Sequence, residues 1–425
     1  MSANSAFEQY VCEACNYIYD EALGDIDSGL PAGTRMQDIP EDWFCPVCGV
    51  KKTDFKKISP VTKRSSQLAT PNSIKQQKGV VVLGGGHAGW TAIEALRDQG
   101  YTGSITLVSA CNAGRYSKPQ LSGLQSRGGL RALKGYTAPE DAARSFDVQL
   151  MCNTWALQIN RASKRILTTR GSLSYETLIL ALGASPRMPA FKGDGNQRLH
   201  VLNDLRHYTE FNNVLNAVKK TAWEQDRSAH VAIVGAGLVG CELANDFANA
   251  GLQVSLIDQA ALPLASRLSK DQAIGLKLSL QGLGVRFIGQ AQISHVGAWQ
   301  DHGAAIEMEL GHGLMDVLKA DVAVACMGIV PRLKLPESMG LVTQRGILVD
   351  NETLMAAEHV FALGDCVEIN GQLSATIEPI QRQANCIASH IVGKPTAYEH
   401  RDTVWVVKTP CCPLIIRPAE KFKTP

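Results

Sequence analysis

Two cysteine pairs, Cys12-x-x-Cys15 and Cys45-Pro46-x-Cys48, lie near the start of a 425-residue chain. Two such knuckles make a four-thiolate metal site, open by spacing alone to zinc or to iron. Two glycine runs follow. Gly84-x-Gly86-x-x-Gly89 comes directly after the apolar run 79–83, and Gly235-x-Gly237-x-x-Gly240 directly after 230–234. Each stands between an expected strand and an expected helix. There glycines allow a tight turn and close approach to a pyrophosphate, and the helix N-terminus faces the phosphates. Two copies imply two dinucleotides. A metal that takes one electron, in one chain with a cofactor that takes two, points to electron transfer.

The elements around the glycine runs differ in a useful way. After the second, a helix is expected to Gly251, then a strand over 254–257 that ends in Asp258. An acid there can accept hydrogen bonds from a ribose 2′-hydroxyl, and no Lys or Arg follows until Arg267, which favours NAD over NADP. After the first, the helix ends near Gly100 and the strand 105–108 runs into Ser109-Ala110-Cys111, with no acid. Gly282 and Gly284 are expected to end a helix.

The residues around the cysteine knuckles narrow the metal. Tyr10-Val11-Cys12, Tyr17-Ile18-Tyr19-Asp20, Gly24-Asp25, Gly33-Thr34, the run 39–49 and Phe55 together resemble rubredoxin over roughly residues 7 to 58. The resemblance implies one iron held by Cys12, Cys15, Cys45 and Cys48, and a small core filled by Tyr10, Tyr17, Trp43 and Phe55. Asn16 departs from the family's usual Gly, and Met36 from a common Phe. So short a domain draws much of its stability from its metal.

Residues 59–77 are polar, carry Pro60 and Pro71, and have no apolar period, as a linker does. Beyond them the chain resembles the two-dinucleotide flavoprotein reductases. The segment 175–184, with Ala181 and Gly183, looks like the family's strand beside the first nucleotide, and 325–331 like its counterpart after the second. Val360-Phe361-Ala362-Leu363-Gly364-Asp365 matches the segment whose Asp contacts FAD. Two further segments, 115–122 and 406–413, resemble rubredoxin and flavorubredoxin reductases in particular.

That resemblance implies an α/β architecture with a glutathione-reductase-like arrangement. A rubredoxin-like domain (1–58) and the linker precede an FAD-binding domain in two pieces (78–190 and 318–370). An NAD-binding domain (191–317) and a small C-terminal α+β domain (371–425) complete it. FAD would lie on Gly84, Gly86, Gly89, Ala181, Gly183 and Asp365, and NADH on Gly235, Gly237, Gly240 and Asp258. Lys118, in the flavin-side loop, and Glu242, near the start of the second helix, are expected to pair as catalytic residues. Lys118 would stabilise negative charge on the reduced ring.

Composition sets the outer bounds. Hydrophobic residues make up 45% of the chain, ordinary for a globular protein. No basic stretch leads into an apolar core at the N-terminus, no apolar run approaches the ~20 residues of a membrane span, and no nucleic-acid motif stands out. Cys111, Cys152, Cys241, Cys326, Cys366, Cys386, Cys411 and Cys412 are scattered, and such cysteines commonly behave as small buried hydrophobes. No Cys pair follows the first glycine run, so a dithiol relay is not expected, and a cytoplasmic location is. Residues 1–58 carry ten acids and five bases, net −5, and the remainder thirty acids and thirty-seven bases, net +7. That asymmetry is either ordinary solvated surface or docking of an acidic domain on a basic face.

The expected function is an NADH-dependent FAD oxidoreductase that feeds a fused one-iron centre and then an external acceptor protein. The resemblance offers an alkane hydroxylase, a diiron oxygen or nitric oxide reductase, or a peroxide-reducing protein. The alternatives are a flavoenzyme acting on a small acceptor, with the metal domain structural, and a redox sensor.

Overall fold

The structure, a computed structural model, describes residues 7–12, 18–25, 30–41, 43, 52–57, 79–188, 191–194, 197–311, 313–374, 378–401 and 405–416. The expected linker 59–77 lies outside them.

Near the N-terminus three short antiparallel strands form a sheet in the order Ile18–Asp20, Gln9–Cys12, Phe55–Lys57. Its core is Tyr19, Leu30, Ile39, Trp43 and Phe55, with Tyr10 and Met36 packed at the rim. Trp43 sits between two rings, 5.9 Å from Tyr19 edge-on and 5.4 Å from Phe55. Tyr19, not among the aromatics expected there, is fully buried, and its hydroxyl donates to the Thr34 carbonyl at 2.8 Å. Tyr17 lies outside the described residues.

Strands buried on both faces read as short continuous apolar runs, and the two glycine loops grow from such runs. Val80–Leu83 is buried at all four positions and lies inside a six-stranded sheet. The order is Met355–Ala357, Val360–Ala362, Thr177–Leu180, Val80–Leu83, Ile105–Val108, Gln149–Met151. All neighbours are parallel except the first pair. The strand Val360–Ala362, some 180 residues downstream, thus lies next to Thr177–Leu180 and carries Asp365 to the same sheet edge as the first glycine loop.

His230–Val234 is the centre of a second, five-stranded parallel sheet. It lies between Val322–Ala325 and Gln253–Ile257, with Leu199–His200 and Arg286–Ile288 at the edges. The two sheets are joined by crossing segments, where Ala184–Pro186 pairs antiparallel with Ile329–Pro331. The helix expected before Gly284 runs Lys270–Gly282, opens with a Ser269–Gln272 capping box and closes ahead of Gly284 at φ +87°.

Beyond residue 371 the chain serves both halves. The helix Glu378–Ile391 packs on the helix His87–Asp98, with Ile380, Ala384 and Ile387 in the first sheet's core. The hairpin Trp405–Val407 and Leu414–Ile416 places Val407 in the core of the second and packs the half-buried Leu414 and Ile416 against it.

Candidate functional site

The two glycine loops are built on the same plan. Gly84 has φ +119°, and a Cβ there would stand 2.1 Å from the Ala181 carbonyl oxygen. Gly235 has φ +106°, and its Cβ would stand 2.5 Å from the Cys326 carbonyl oxygen. Gly89 and Gly240 each lie so close to their loop that a Cβ would fall 1.9 Å from the first glycine's carbonyl oxygen. The middle glycines differ: around Gly86 and Gly237 a Cβ would meet nothing within 4 Å. Each is the N-cap of a twelve-residue helix, His87–Asp98 or Leu238–Asn249, and no side chain caps either helix. Among the described residues no side chain takes the first amides of either helix, which suits an anionic pyrophosphate. The cradles fit the two dinucleotides that the sequence implies.

The strand ends behind the loops differ as the sequence does. Asp258 accepts the amide of Ala236 at 2.6 Å and that of Ala260 at 2.7 Å. Its carboxylate thus closes the second glycine loop from behind. In the first copy Ser109 stands there, buried, its Oγ 3.3 Å from Cys111 Sγ.

Asp365 follows Gly364, whose φ is +79° and whose amide donates to the buried Gln383 Oε1 at 2.9 Å. Burial holds the Asp365 carboxyl above the usual range, against the pull of Lys118, Arg332 and His87. Lys118 Nζ is 4.0 Å from Asp365 Oδ2 and donates to Asn203 Oδ1 at 2.9 Å. Arg332 reaches the carbonyl of Leu182 at 2.8 Å, beside Gly183 at φ +64°. Ala181, Gly183, Asp365 and Lys118 thus converge on the first glycine loop, where a flavin cofactor fits.

The expected pair of Lys118 with Glu242 does not form. Glu242 is buried in the helix Leu238–Asn249 and turns to the C-terminal hairpin instead. Its Oε2 accepts from Lys408 Nζ at 3.0 Å and from Ser122 Oγ at 2.6 Å, and its Oε1 accepts the Lys408 amide at 3.0 Å. Lys408 Nζ also donates to the Pro119 carbonyl at 2.5 Å. One turn on, Asp246 accepts the amides of Gln125 and Ser126 and the Ser126 hydroxyl. Sequence reasoning missed Lys408, Ser122, Asn203 and Asp246. The one available signal was Asp246, an acid four residues after Glu242 on a helix otherwise rich in buried apolar residues.

At the metal end, Cys12 closes the strand Gln9–Cys12 opposite Phe55. Its side chain, and Cys15, Cys45 and Cys48, lie outside the described residues. Four thiolates are a donor set that fits one iron. The thiols near the nucleotide loops are of another kind. Burial pushes Cys366 up to about 11 and Cys326 up to about 12, and pushes Cys241 up as well. Thiols so protonated are poor nucleophiles.

Comparison with known proteins agrees with this geometry. Residues 9–55 match the rubredoxin family. A rubredoxin-NAD(+) reductase of Alcanivorax borkumensis is 33% identical over 342 residues, 80% of this chain and 85% of the relative. A nitric oxide reductase FlRd-NAD(+) reductase of Aeromonas salmonicida is 31% identical, over 82% of this chain and 86% of the relative. The putidaredoxin reductase–putidaredoxin covalent complex has the same fold, with TM-score 0.67 at 23% identity over 78% of this chain and 79% of that one. Pyridine nucleotide-disulphide oxidoreductase describes the match over residues 78–385, and the chain belongs to that family, with a rubredoxin domain ahead of it.

Proposed function

We propose that this chain is an NADH:rubredoxin reductase that carries its own rubredoxin and hands electrons to an external acceptor protein. The observation that carries this reading is one chain holding both a rubredoxin domain and a reductase of two intact glycine loops. When bound, FAD supplies the conversion of a hydride donor into single-electron delivery, and the four-thiolate iron supplies a one-electron carrier.

The residues of the chain divide the remaining work. The amides after Gly86 and Gly237 hold the two pyrophosphates. Asp258 selects NADH, since its carboxylate can take a ribose hydroxyl and repels a 2′-phosphate. Lys118 sets a positive charge beside Asp365, where it would stabilise negative charge on a reduced flavin. Cys12, Cys15, Cys45 and Cys48 hold the iron.

Among the described residues no helix is long and apolar enough to cross a membrane. We place the relay in the cytoplasm, a reading supported by cysteines that stand free among the described residues. The acceptor we propose is an alkane hydroxylase, a diiron oxygen or nitric oxide reductase, or a peroxide-reducing protein.

The test is spectroscopic. Purified protein should hold one FAD and one iron, and its thiolate-to-iron absorption should bleach on addition of NADH. Stoichiometric zinc in protein matured under iron-replete conditions would falsify the iron assignment.

A further inference from the structure

Two segments far apart in sequence, 122–126 and 408–411, meet on one face of the helix Leu238–Asn249. That face presents Glu242, Asn245 and Asp246, all buried. Asp246 grips the amides of Gln125 and Ser126 at 2.8 and 3.1 Å, and Asn245 Oδ1 accepts the Cys411 amide at 3.2 Å. Glu242 takes both Ser122 and Lys408. The helix that begins at the second glycine loop is therefore docked on the flavin-side loop, in part through polar contacts, and Lys408 brings the positive charge that faces Glu242.

We propose that Lys408 is a positioning residue for the reductase reaction, a role that rests on the function proposed above. Its ammonium spans three groups: Glu242 Oε2 at 3.0 Å, Ser122 Oγ at 2.9 Å and the Pro119 carbonyl at 2.5 Å. Pro119 directly follows Lys118, so fixing one fixes the other against Asp365 and Asn203. The ammonium also supplies the counter-charge of a carboxylate only 3% exposed, whose other partners are the neutral Ser122 hydroxyl and Lys408 amide. Without it, the one hydrogen bond left among the described residues between Glu242 and the segment 118–123 is that of the Ser122 hydroxyl.

The alternative is that Lys408 merely stabilises the hairpin. The hairpin has other supports, because Val407 is buried in the core of the second sheet and Leu414 and Ile416 pack against it. Removing the ammonium should thus leave the fold and loosen the register of the two nucleotide sites. A displacement of about an ångström in such a site is enough to slow the chemistry up to a hundredfold.

The test uses the full-length, FAD-loaded protein with Lys408→Met, Lys408→Arg and Ser122→Ala. Stopped flow gives the limiting rate of flavin reduction and the apparent Kd for NADH, and hydrogen exchange reports the amides of residues 118–127. Lys408→Met should cut the limiting rate about tenfold or more while moving the Kd only about twofold. It should also speed exchange over 118–127, and Lys408→Arg should restore both. An unchanged limiting rate, unchanged exchange, or an Arg variant as impaired as the Met variant overturns the proposal. If Lys408→Met loses its FAD, Ser122→Ala decides, since it removes one hydrogen bond of the same clamp: wild-type rate and exchange there also overturn it. A wild-type protein whose flavin NADH does not reduce would sink the function proposed above alone. Exchange in the Met and Arg variants would still decide the clamp.

Discussion

The carboxylate of Asp258 accepts the amide of Ala236 at 2.6 Å, so the end of one strand and the glycine loop ahead of it move as one unit. The same carboxylate takes the Ala260 amide at 2.7 Å. Asp258 therefore has two tasks, to shape the loop and to choose the nucleotide. Asp258→Ala should raise the KM for NADH about tenfold and narrow its lead over NADPH, since charge-assisted hydrogen bonds are worth ~1.5–3 kcal/mol each. Asp258→Asn keeps one acceptor for the loop and should lose discrimination more than affinity. Steady-state KM values for both nucleotides test this, and a wild-type preference for NADPH would sink it.

The glycines of the first loop can be told apart by substitution. A Cβ on Gly89 would fall 1.9 Å from the Gly84 carbonyl oxygen, while one on Gly86 meets nothing within 4 Å. Gly89→Ala must push the helix off the strand and should cost about 1–3 kcal/mol of stability. Gly86→Ala should leave the thermal stability of the apoprotein unchanged and weaken FAD binding, because the added methyl enters the space left for the pyrophosphate. Thermal melts and FAD titration of both apoproteins separate the two. Equal loss of stability in both would count against the assignment of that space.

Asp365 carries a pH signature. Burial raises its folded-state pKa above the unfolded value, and Lys118 is the largest influence lowering it. For a carboxyl raised on folding, stability is fully present below the unfolded pKa and is lost as pH rises through the folded one. Removing the Lys118 charge should raise Asp365 further. Lys118→Met should then lose more stability than the wild type as pH climbs out of the acid range, and Lys118→Met with Asp365→Asn should lose that excess. Melting temperatures across pH 4 to 8 provide the readout, and parallel curves for wild type and Lys118→Met would rule the coupling out.

Much of the fold and of the site was legible in the sequence, for physical reasons. The strands Val80–Leu83 and His230–Val234 are buried nearly throughout, so they appear as short apolar runs, and the glycines after them have no other economical explanation. Asp365 was legible because the segment 360–365 resembles the one whose Asp contacts FAD in the flavoprotein reductases, and the structure sets its strand beside Thr177–Leu180. The partner of Glu242 was not. Lys408 lies 166 residues away, and only the packing of the C-terminal hairpin on the second core brings it within 3.0 Å. Tyr19 was missed because Ile18–Asp20 is a three-residue strand, too short for alternation to show which face is buried.

The iron domain should fail alone. Among the described residues its buried core is five side chains, with Trp43 between Tyr19 and Phe55. Trp43→Ala should cost about 3–5 kcal/mol, much of what so small a domain has. The reductase has separate cores around its two sheets. The variant should therefore lose its iron absorption yet keep FAD and reduce a small artificial acceptor with NADH at the wild-type rate. Loss of FAD together with iron would show that the two parts are not independently stable.

Fusing the iron domain to its reductase has a kinetic consequence. Residues 59–77, expected to form the linker, number nineteen. A flexible chain of that length spans roughly 25 Å root-mean-square, comparable to the width of a small domain. Tethering at that reach implies an effective concentration on the order of millimolar, so weak docking suffices for electron delivery. Weak docking in turn frees the iron domain to meet an external acceptor. Iron reduction by NADH should then proceed at a rate independent of protein concentration. Cutting the chain within 59–77 should make it second-order. It should also become salt-sensitive, because a part of net charge −5 would have to find one of +7 by diffusion. Iron reduction is to be followed across a hundredfold range of enzyme concentration, in the intact and the divided protein. A rate proportional to concentration in the intact chain would mean that each iron is served by another molecule's reductase, and the internal relay would have to be abandoned.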